Sequence, residues 1–310
     1  MDEFELIKKY LLPISSIESQ FLSNDGAIFR PKIGLDYVVS TDTIVEKIHF
    51  KGNESPDLIA KKALRTNLSD LAAMGADPEF YSLSISLPKA KAKDFIKIFA
   101  KGLKEDQKEY KIKLLGGDLT ASIDIITITI NIIGTVPIGK CISRSNARVS
   151  DLLYVTGDLG LSNIGLLNIN KNDKIFSKAK LKYYLPQPRI EFSSSIRDFV
   201  SSMIDISDGF VQDCGHLARS SNLEFVINLK NLPISNIDLL SYKQRLNAAL
   251  IGGDDYELLF TAPTMYKENI NEIAKIHNLR VTNIGYVKSG KNGQVTSSNR
   301  PINVNAYKHF

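Results

Sequence analysis

Two neighbouring stretches with incompatible periodicities do most to limit what this chain can fold into. Residues 81–87, YSLSISL, alternate apolar and polar side chains at every step, the pattern of a strand with one buried face. Just before them, residues 57–74 carry apolar side chains at helical spacing. Ser55 is a candidate N-cap, Pro56 lies in the first turn, and Gly75 follows the end. Further strands are predicted over 37–41, 123–136, 152–156, 203–206, 223–229 and 256–261, and further helices over 3–12, 91–110, 188–201, 209–221 and 264–277. This order predicts an α/β (α+β) chain. Its 310 residues suffice for two cores. The polar stretch 137–151, PIGKCISRSNARVSD, sets the expected boundary, giving domains 1–140 and 141–310. The Lys/Asn-rich stretch 170–180 reads as an exposed connection or a helix edge.

Composition removes several function classes. A hydrophobic fraction of 43% and a charged fraction of 24% exclude a largely disordered chain. The formal net charge is +5, but the basic residues are scattered and form no block, so no nucleic-acid partner is expected. Cys141 and Cys214 are far apart and give neither a disulfide framework nor zinc spacing. The N-terminal MDEFELIKKYLLP lacks the order of a signal peptide. The apolar run 123–136 is interrupted by Asp124 and Asn131 and falls short of the roughly 18 residues of a membrane span. A cytoplasmic protein without a membrane partner is expected.

The acidic residues are placed unusually. Asp42 follows a predicted strand, Asp118 closes KLLGGD, and Asp205 and Asp208 stand in MIDISDG at a strand–helix junction. Asp254 and Asp255 precede a strand in IGGDDYELLF, and Asp25 sits in the turn-like SNDGA. On helix 57–74 a wheel puts Lys61, Lys62, Arg65 and Ser69 on one side, and Asn67 and Asp70 among the apolar residues of the other. A carboxylate there must be paired, hydrogen-bonded or metal-bound. Carboxylates and hydroxyls such as Thr41, without convergent His or Cys, suit a hard cation, Mg²⁺ before Zn²⁺, and Mg²⁺ so held usually also binds substrate phosphates. Each acid also has a plainer reading as a turn residue. Asp208 fits an N-cap for the helix after it, Gly116-Gly117 and Gly252-Gly253 fit simple turns, and Arg144 and Arg148 fit an exposed linker. The chain lacks a G-x-x-x-x-G-K-[ST] loop, the protein-kinase motif set and a G-x-G-x-x-G turn. A nucleotide would have to be bound by another architecture.

The segments DEFELI (2–7), NDGAIF (24–29), VSTDTIVEKIHF (39–50), NLSDLAAMGADP (67–78), LLGGD (114–118), SRSNARVSDLLYVTG (143–157), DISDG (205–209) and GGDDYELLF (252–260) run almost from end to end. With them the chain resembles the thiamine-monophosphate kinases, within the superfamily that includes aminoimidazole ribonucleotide synthetase and selenophosphate synthetase. The resemblance implies a two-domain fold, an N-terminal sheet domain that pairs into a homodimer and a C-terminal α/β domain, with ATP in a cleft between domains. It also implies the reaction of ATP with thiamine monophosphate to give thiamine diphosphate and ADP, assisted by several Mg²⁺ ions.

By position, the resemblance implies metal ligands at Asp25, Ser40, Thr41, Asp42, Asp70, Asp118, Asp205 and Asp208. It implies ATP contacts at Gly117, Asp118, Arg144 and Ser207, with Tyr110 on the adenine side. Asp208 and Arg144 take catalytic roles, and His49, Asp254 and Val304 the thiamine phosphate side. The chain departs from the family pattern at Asn24, Leu119, Asp254 and Val304, where an acid, Thr, Glu and an aromatic residue are usual. These departures keep two alternatives in view, another ATP-using synthetase of the superfamily and a binding protein without turnover. The reactive N-terminal Cys of selenophosphate synthetases has no counterpart, the first cysteine being Cys141.

Overall fold

A computed structural model describes residues 1–291, 293–298 and 300–302. The chain divides into two compact units, one of residues 1–71 and 76–139, the other of residues 72–75 and 140–310.

The first unit contains α1 (Glu3–Leu6), β1 (Leu35–Val45), α2 (Pro56–Ala73), β2 (Asp77–Pro88), α3 (Ala92–Tyr110), β3 (Lys113–Ser122) and β4 (Thr127–Pro137). Its four-stranded sheet has the order β1-β4-β2-β3. β4 runs antiparallel to β1 and β2, while β2 and β3 are parallel and joined through α3. α2 does not divide into a wet and a dry side as the wheel suggests. Lys62, Arg65 and Ser69 are buried along with Leu64, Leu68 and Leu71. The polar side survives burial because it is paired. Arg65 donates Nε to Asp106 Oδ2 and Nη2 to Asp106 Oδ1, both at 2.8 Å, locking α2 to α3 in fork geometry. A Cβ at Gly102 would lie 2.4 Å from the Asp57 carbonyl oxygen, so glycine permits this close approach of the two helices. α2 stops as expected: Gly75 takes φ +72°, and the Ala76 N–H closes on the Leu71 carbonyl at 2.9 Å.

The second unit contains β5 (Leu152–Thr156), α4 (Leu161–Leu167), α5 (Ser177–Tyr184), α6 (Ile190–Ile196), β6 (Ser202–Asp205), α7 (Phe210–Ser220), β7 (Glu224–Ile227), α8 (Tyr242–Ile251), β8 (Leu258–Ala262), α9 (Lys267–Ile276), β9 (Val281–Lys288), β10 (Val295–Ser297) and β11 (Arg300–Pro301). They build a seven-stranded sheet of order β11-β10-β7-β9-β5-β8-β6. Its main core joins Leu153, Ile204, Phe225, Leu259 and Ile284 from strands to Phe210 and Leu217 from α7. Among the described residues no helix is long and apolar enough to cross a membrane.

Several elements depart from expectation. β3 continues through Gly116-Gly117, for which a simple turn is the plainer reading, because parallel pairing with β2, resumed after an irregularity at Leu115, carries these residues along the sheet. α5 begins at the end of the Lys/Asn-rich stretch, as a helix edge would, anchored by buried Ala179 and Tyr183. α4, α8 and β9 are additional elements. The N-terminal helix is a single turn, α1, continued by a wider π-type turn over Ile7–Leu11.

Immediately before β8 lies a fully buried acid, Glu257. Arg189 donates Nε at 2.8 Å and Nη2 at 2.6 Å, Lys182 Nζ donates at 2.6 Å, and Thr156 Oγ1 at 2.7 Å. Burial alone would raise this carboxyl, but Lys182 and Arg189 hold it down at about 2. Replacing it leaves two cations without their anion. Glu257→Gln should therefore cost about 3–5 kcal/mol in chemical denaturation at neutral pH. Because the folded pKa lies below the ordinary 4.5, this stabilisation is complete above pH 4.5 and disappears as pH falls toward 2. The variant's stability should thus vary less steeply than the wild type's in that interval, and equal slopes would contradict the assignment.

Candidate active site

β1 and α2 bring two carboxylates face to face. The Asp42 N–H donates to Asn67 Oδ1 at 3.1 Å, and Ser40 Oγ donates to Asp70 Oδ2 at 2.5 Å. Strand alternation turns Ser40 and Asp42 toward α2 and Thr41 to the opposite face, where Asn131 Nδ2 donates to Thr41 Oγ1 at 2.6 Å. Burial pushes the Asp42 carboxyl up to about 6, and the charge of Asp70 adds to the rise. No cationic side chain pulls Asp42 back down.

β3 supplies the second group. A Cβ at Gly117 would sit 1.7 Å from the Leu83 carbonyl oxygen, so only glycine fits there against β2. Asp118 pairs with Ser84 and is exposed, on the face that carries Thr41 and away from Asp42. Gly117 and Asp118 line a cavity of about 340 Å³ together with Asn24 and Asp25 of the loop before β1. Apolar side chains, including Leu11, Leu22, Leu83 and Leu119, form much of its remaining wall.

Two other predicted residues of this unit have defined neighbours. His49 Nδ1 accepts the Val45 N–H at 3.0 Å, which leaves Nε2 to carry the proton of the neutral ring. Tyr110 closes α3, and its ring lies under the Arg65 guanidinium at 5.3 Å; burial raises its hydroxyl well above the ordinary range.

In the second unit, Asp205 ends β6 and is buried, and Ser207 and Asp208 follow in the loop before α7. Asp208 does not cap α7. Gly209, at φ +125°, occupies the cap position, and the carboxylate that serves this turn comes from inside the helix. Asp213 Oδ2 accepts the N–H groups of Ser207 at 3.2 Å and of Asp208 and Gly209 at 3.1 Å each. Burial, together with the charge of Asp208, lifts Asp213 to about 7 against the pull of those three bonds. The Asp208 side chain accepts Gln212 Nε2 at 2.8 Å. Arg144 is exposed, its carbonyl accepting Ser221 Oγ at 3.1 Å.

The segment GGDDYELLF divides its acids by environment. Asp254 takes φ +66°, its N–H donates to the Ser207 carbonyl at 2.8 Å, and Tyr256 Oη donates to its Oδ1 at 3.1 Å. Asp255 is fully buried, accepting the Gly160 N–H at 2.7 Å and the Ser162 N–H at 3.3 Å; burial raises it to about 7. Asp255 and Glu257 therefore serve the fold, and Asp254 is the acid left half-buried beside the DISDG loop. Asp213 is the residue that sequence reasoning missed: an acid in the first turn of a helix is ordinary there, and nothing in the sequence tells that its side chain turns back onto the loop. Val304 lies outside the described residues.

Among the described residues no group of three or more His, Cys, Asp or Glu side chains converges as a ready-made metal cage. The donor set nevertheless fits Mg²⁺. Asp42 and Asp70 are oxygen donors whose mutual repulsion a hard cation would relieve, and Mg²⁺ characteristically takes one or two carboxylates and completes its shell with water and substrate phosphate.

Residues 23–136 match the family described as AIR synthase related protein, N-terminal domain, and residues 148–298 match AIR synthase related protein, C-terminal domain. The thiamine-monophosphate kinase of Buchnera aphidicola subsp. Schizaphis graminum is 37% identical over 303 residues, covering 94% of this chain and 93% of its own. The crystal structure of thiamine-monophosphate kinase from Stenotrophomonas maltophilia K279a superposes with a TM-score of 0.85 at 31% identity, covering 91% of each chain. The structure of AaThiL complexed with AMPPCP and TMP superposes with a TM-score of 0.81 at 28% identity, over 99% of this chain and 96% of that one. The chain therefore belongs to the thiamine-monophosphate kinase family of phosphotransferases and has its two-domain AIR synthase related fold.

Proposed function

We propose that this protein transfers the γ-phosphoryl group of ATP directly and in line to the phosphate of thiamine monophosphate, giving thiamine diphosphate and ADP, with several Mg²⁺ ions bound. Family membership supports the kinase activity. The observation that carries the metal-assisted mechanism is the half-buried Asp42–Asp70 pair, in which each carboxylate opposes the charge of the other.

In this reading Asp25, Ser40, Thr41, Asp42, Asp70, Asp118, Asp205 and Asp208 hold the metal ions. Mg²⁺, when bound, supplies screening of the phosphate charges and polarises the transferred group. The nucleophile is an oxygen of the acceptor phosphate, which is already ionised near neutral pH because the second phosphate pKa is about 6. No strong general base is required. The protein's own work is positioning and electrostatic. Gly117 contacts ATP through its backbone, Ser207 and Arg144 contact its phosphates, and Tyr110 lies on its adenine side. Arg144 also balances charge on the group in flight. His49 donates from Nε2 toward the acceptor phosphate, and Asp254 faces the thiamine side with Val304. Residues 1–140 are the metal-binding and dimerising domain of a cytoplasmic homodimer, and residues 141–310 the C-terminal domain.

Product analysis with ATP, Mg²⁺ and thiamine monophosphate tests the reaction, with EDTA and plain thiamine as controls. Thiamine diphosphate should form only when Mg²⁺ and the monophosphate are both present. Tight binding of ATP without product would favour the binding-only alternative. Asp70→Asn should lower kcat by about 100-fold or more, in line with the loss of one group that stabilises transition-state charge. His49→Ala should raise KM for thiamine monophosphate roughly tenfold, about the value of a single hydrogen bond to a charged group, and change KM for ATP little. An equal rise in both constants would remove His49 from the acceptor side.

A further inference from the structure

Three consecutive backbone N–H groups that turn to one point form an anion-binding nest, and such nests at the start of helices commonly receive phosphate. Here the groups are those of Ser207, Asp208 and Gly209, and the anion in the nest is the protein's own, Oδ2 of Asp213. Asp213 is 3% exposed, so solvent does not compete for these bonds. The loop is held from its other side as well, the Ser207 carbonyl accepting the Asp254 N–H at 2.8 Å. A Cβ at Gly209 would come 2.9 Å from the Ile251 carbonyl oxygen, so the backbone has no room to relax in that direction.

With its N–H groups committed inward, the loop has only side chains to offer a nucleotide: the Ser207 hydroxyl and the Asp208 carboxylate, both half-buried. We propose that Asp213 is a positioning residue, an internal hydrogen-bond acceptor that fills the nest and thereby fixes Ser207 and Asp208 in the direction from which they meet the nucleotide and its metal. This rests on the kinase reading. The loop is thus a rigid mount for one hydroxyl and one metal-binding carboxylate, and it does not cradle phosphate with its backbone. Asp213 acts through these two residues and touches neither substrate.

The full-length chain tests this with Asp213→Ala, Asp213→Ser and Asp213→Asn. The serine variant keeps a polar side chain too short to reach the loop and stands in should the alanine variant not fold. The asparagine variant keeps an acceptor oxygen at the same reach. Alanine and serine should raise the half-saturating Mg²⁺ concentration and the Kd for ATP, read by calorimetry, by about 10–100-fold, the range for residues that orient metal ligands, while KM for thiamine monophosphate moves less than about threefold. Asparagine should stay within about threefold of wild type in every constant. Folded alanine or serine variants with wild-type Mg²⁺ and ATP constants would overturn the proposal. So would an asparagine variant as impaired as the other two, because that result traces the effect to charge and away from the bonds that hold the loop. Absence of turnover in the wild type would instead sink the kinase reading, and calorimetry of ATP would still decide the role of Asp213.

Discussion

A carboxylate withdrawn from water must be given something in return, and this protein meets that demand in three different ways. Asp106 and Glu257 are answered by cations: Arg65 in the first unit, Arg189 and Lys182 in the second. Asp213 and Asp255 are answered by backbone N–H groups at the turns leading into α7 and α4. Asp42 is opposed instead: burial and the charge of nearby Asp70, which accepts Ser40 Oγ, both push its carboxyl up. Carboxylates of the first two kinds hold elements together. The third arrangement costs stability in the free protein, and such costs are commonly kept where a ligand recovers them.

The contrast explains why acids of one motif have separate fates. In GGDDYELLF all three acids precede β8, but Asp255 and Glu257 are turned into the interior, where backbone N–H groups and cations answer them, whereas Asp254 stays half-buried with its backbone in the left-handed region. The inner pair fixes the segment, and the fixed segment delivers the Asp254 N–H to the Ser207 carbonyl. The buried acids and the half-buried one here are neighbouring parts of one mount.

Much of the fold could be read from residues 1–150, and less from residues 151–310, for physical reasons. Strict alternation in YSLSISL and the Ser-Pro start and Gly stop of α2 are local signals, and β2 and α2 follow them closely. β3 escaped because glycine has no side chain through which to report a strand, and only the pairing with β2 makes Gly116 and Gly117 extended. α5 was legible only as a connection or a helix edge because its exposed Lys-rich side dominates the composition, although Ala179 and Tyr183 anchor it. In the site, strand ends and the apolar half of helix 57–74 pointed to Asp42 and Asp70 directly. The sheet face of each acid was not legible, since it depends on register: Asp118 and Asp42 belong to opposite faces although both stand on strands of one sheet. Asp213 was hidden for a related reason, because its partners precede it on a turn whose direction only the fold sets.

The register of the first sheet also governs how the chain is born. Among the described residues β1 forms a ladder only with β4, Leu35 opposite Pro137 and Val45 opposite Thr127. Ribosomes add about 5–20 residues per second, so β1 waits on the order of ten seconds between its own synthesis and the emergence of its partner. During that interval a Val- and Thr-rich ribbon has neither edge satisfied, which is the condition under which nascent chains associate with one another or are held by chaperones. Slowing translation between β1 and β4 should thus lower the soluble yield of this protein, whereas slowing it after Pro137 should leave the first unit unharmed.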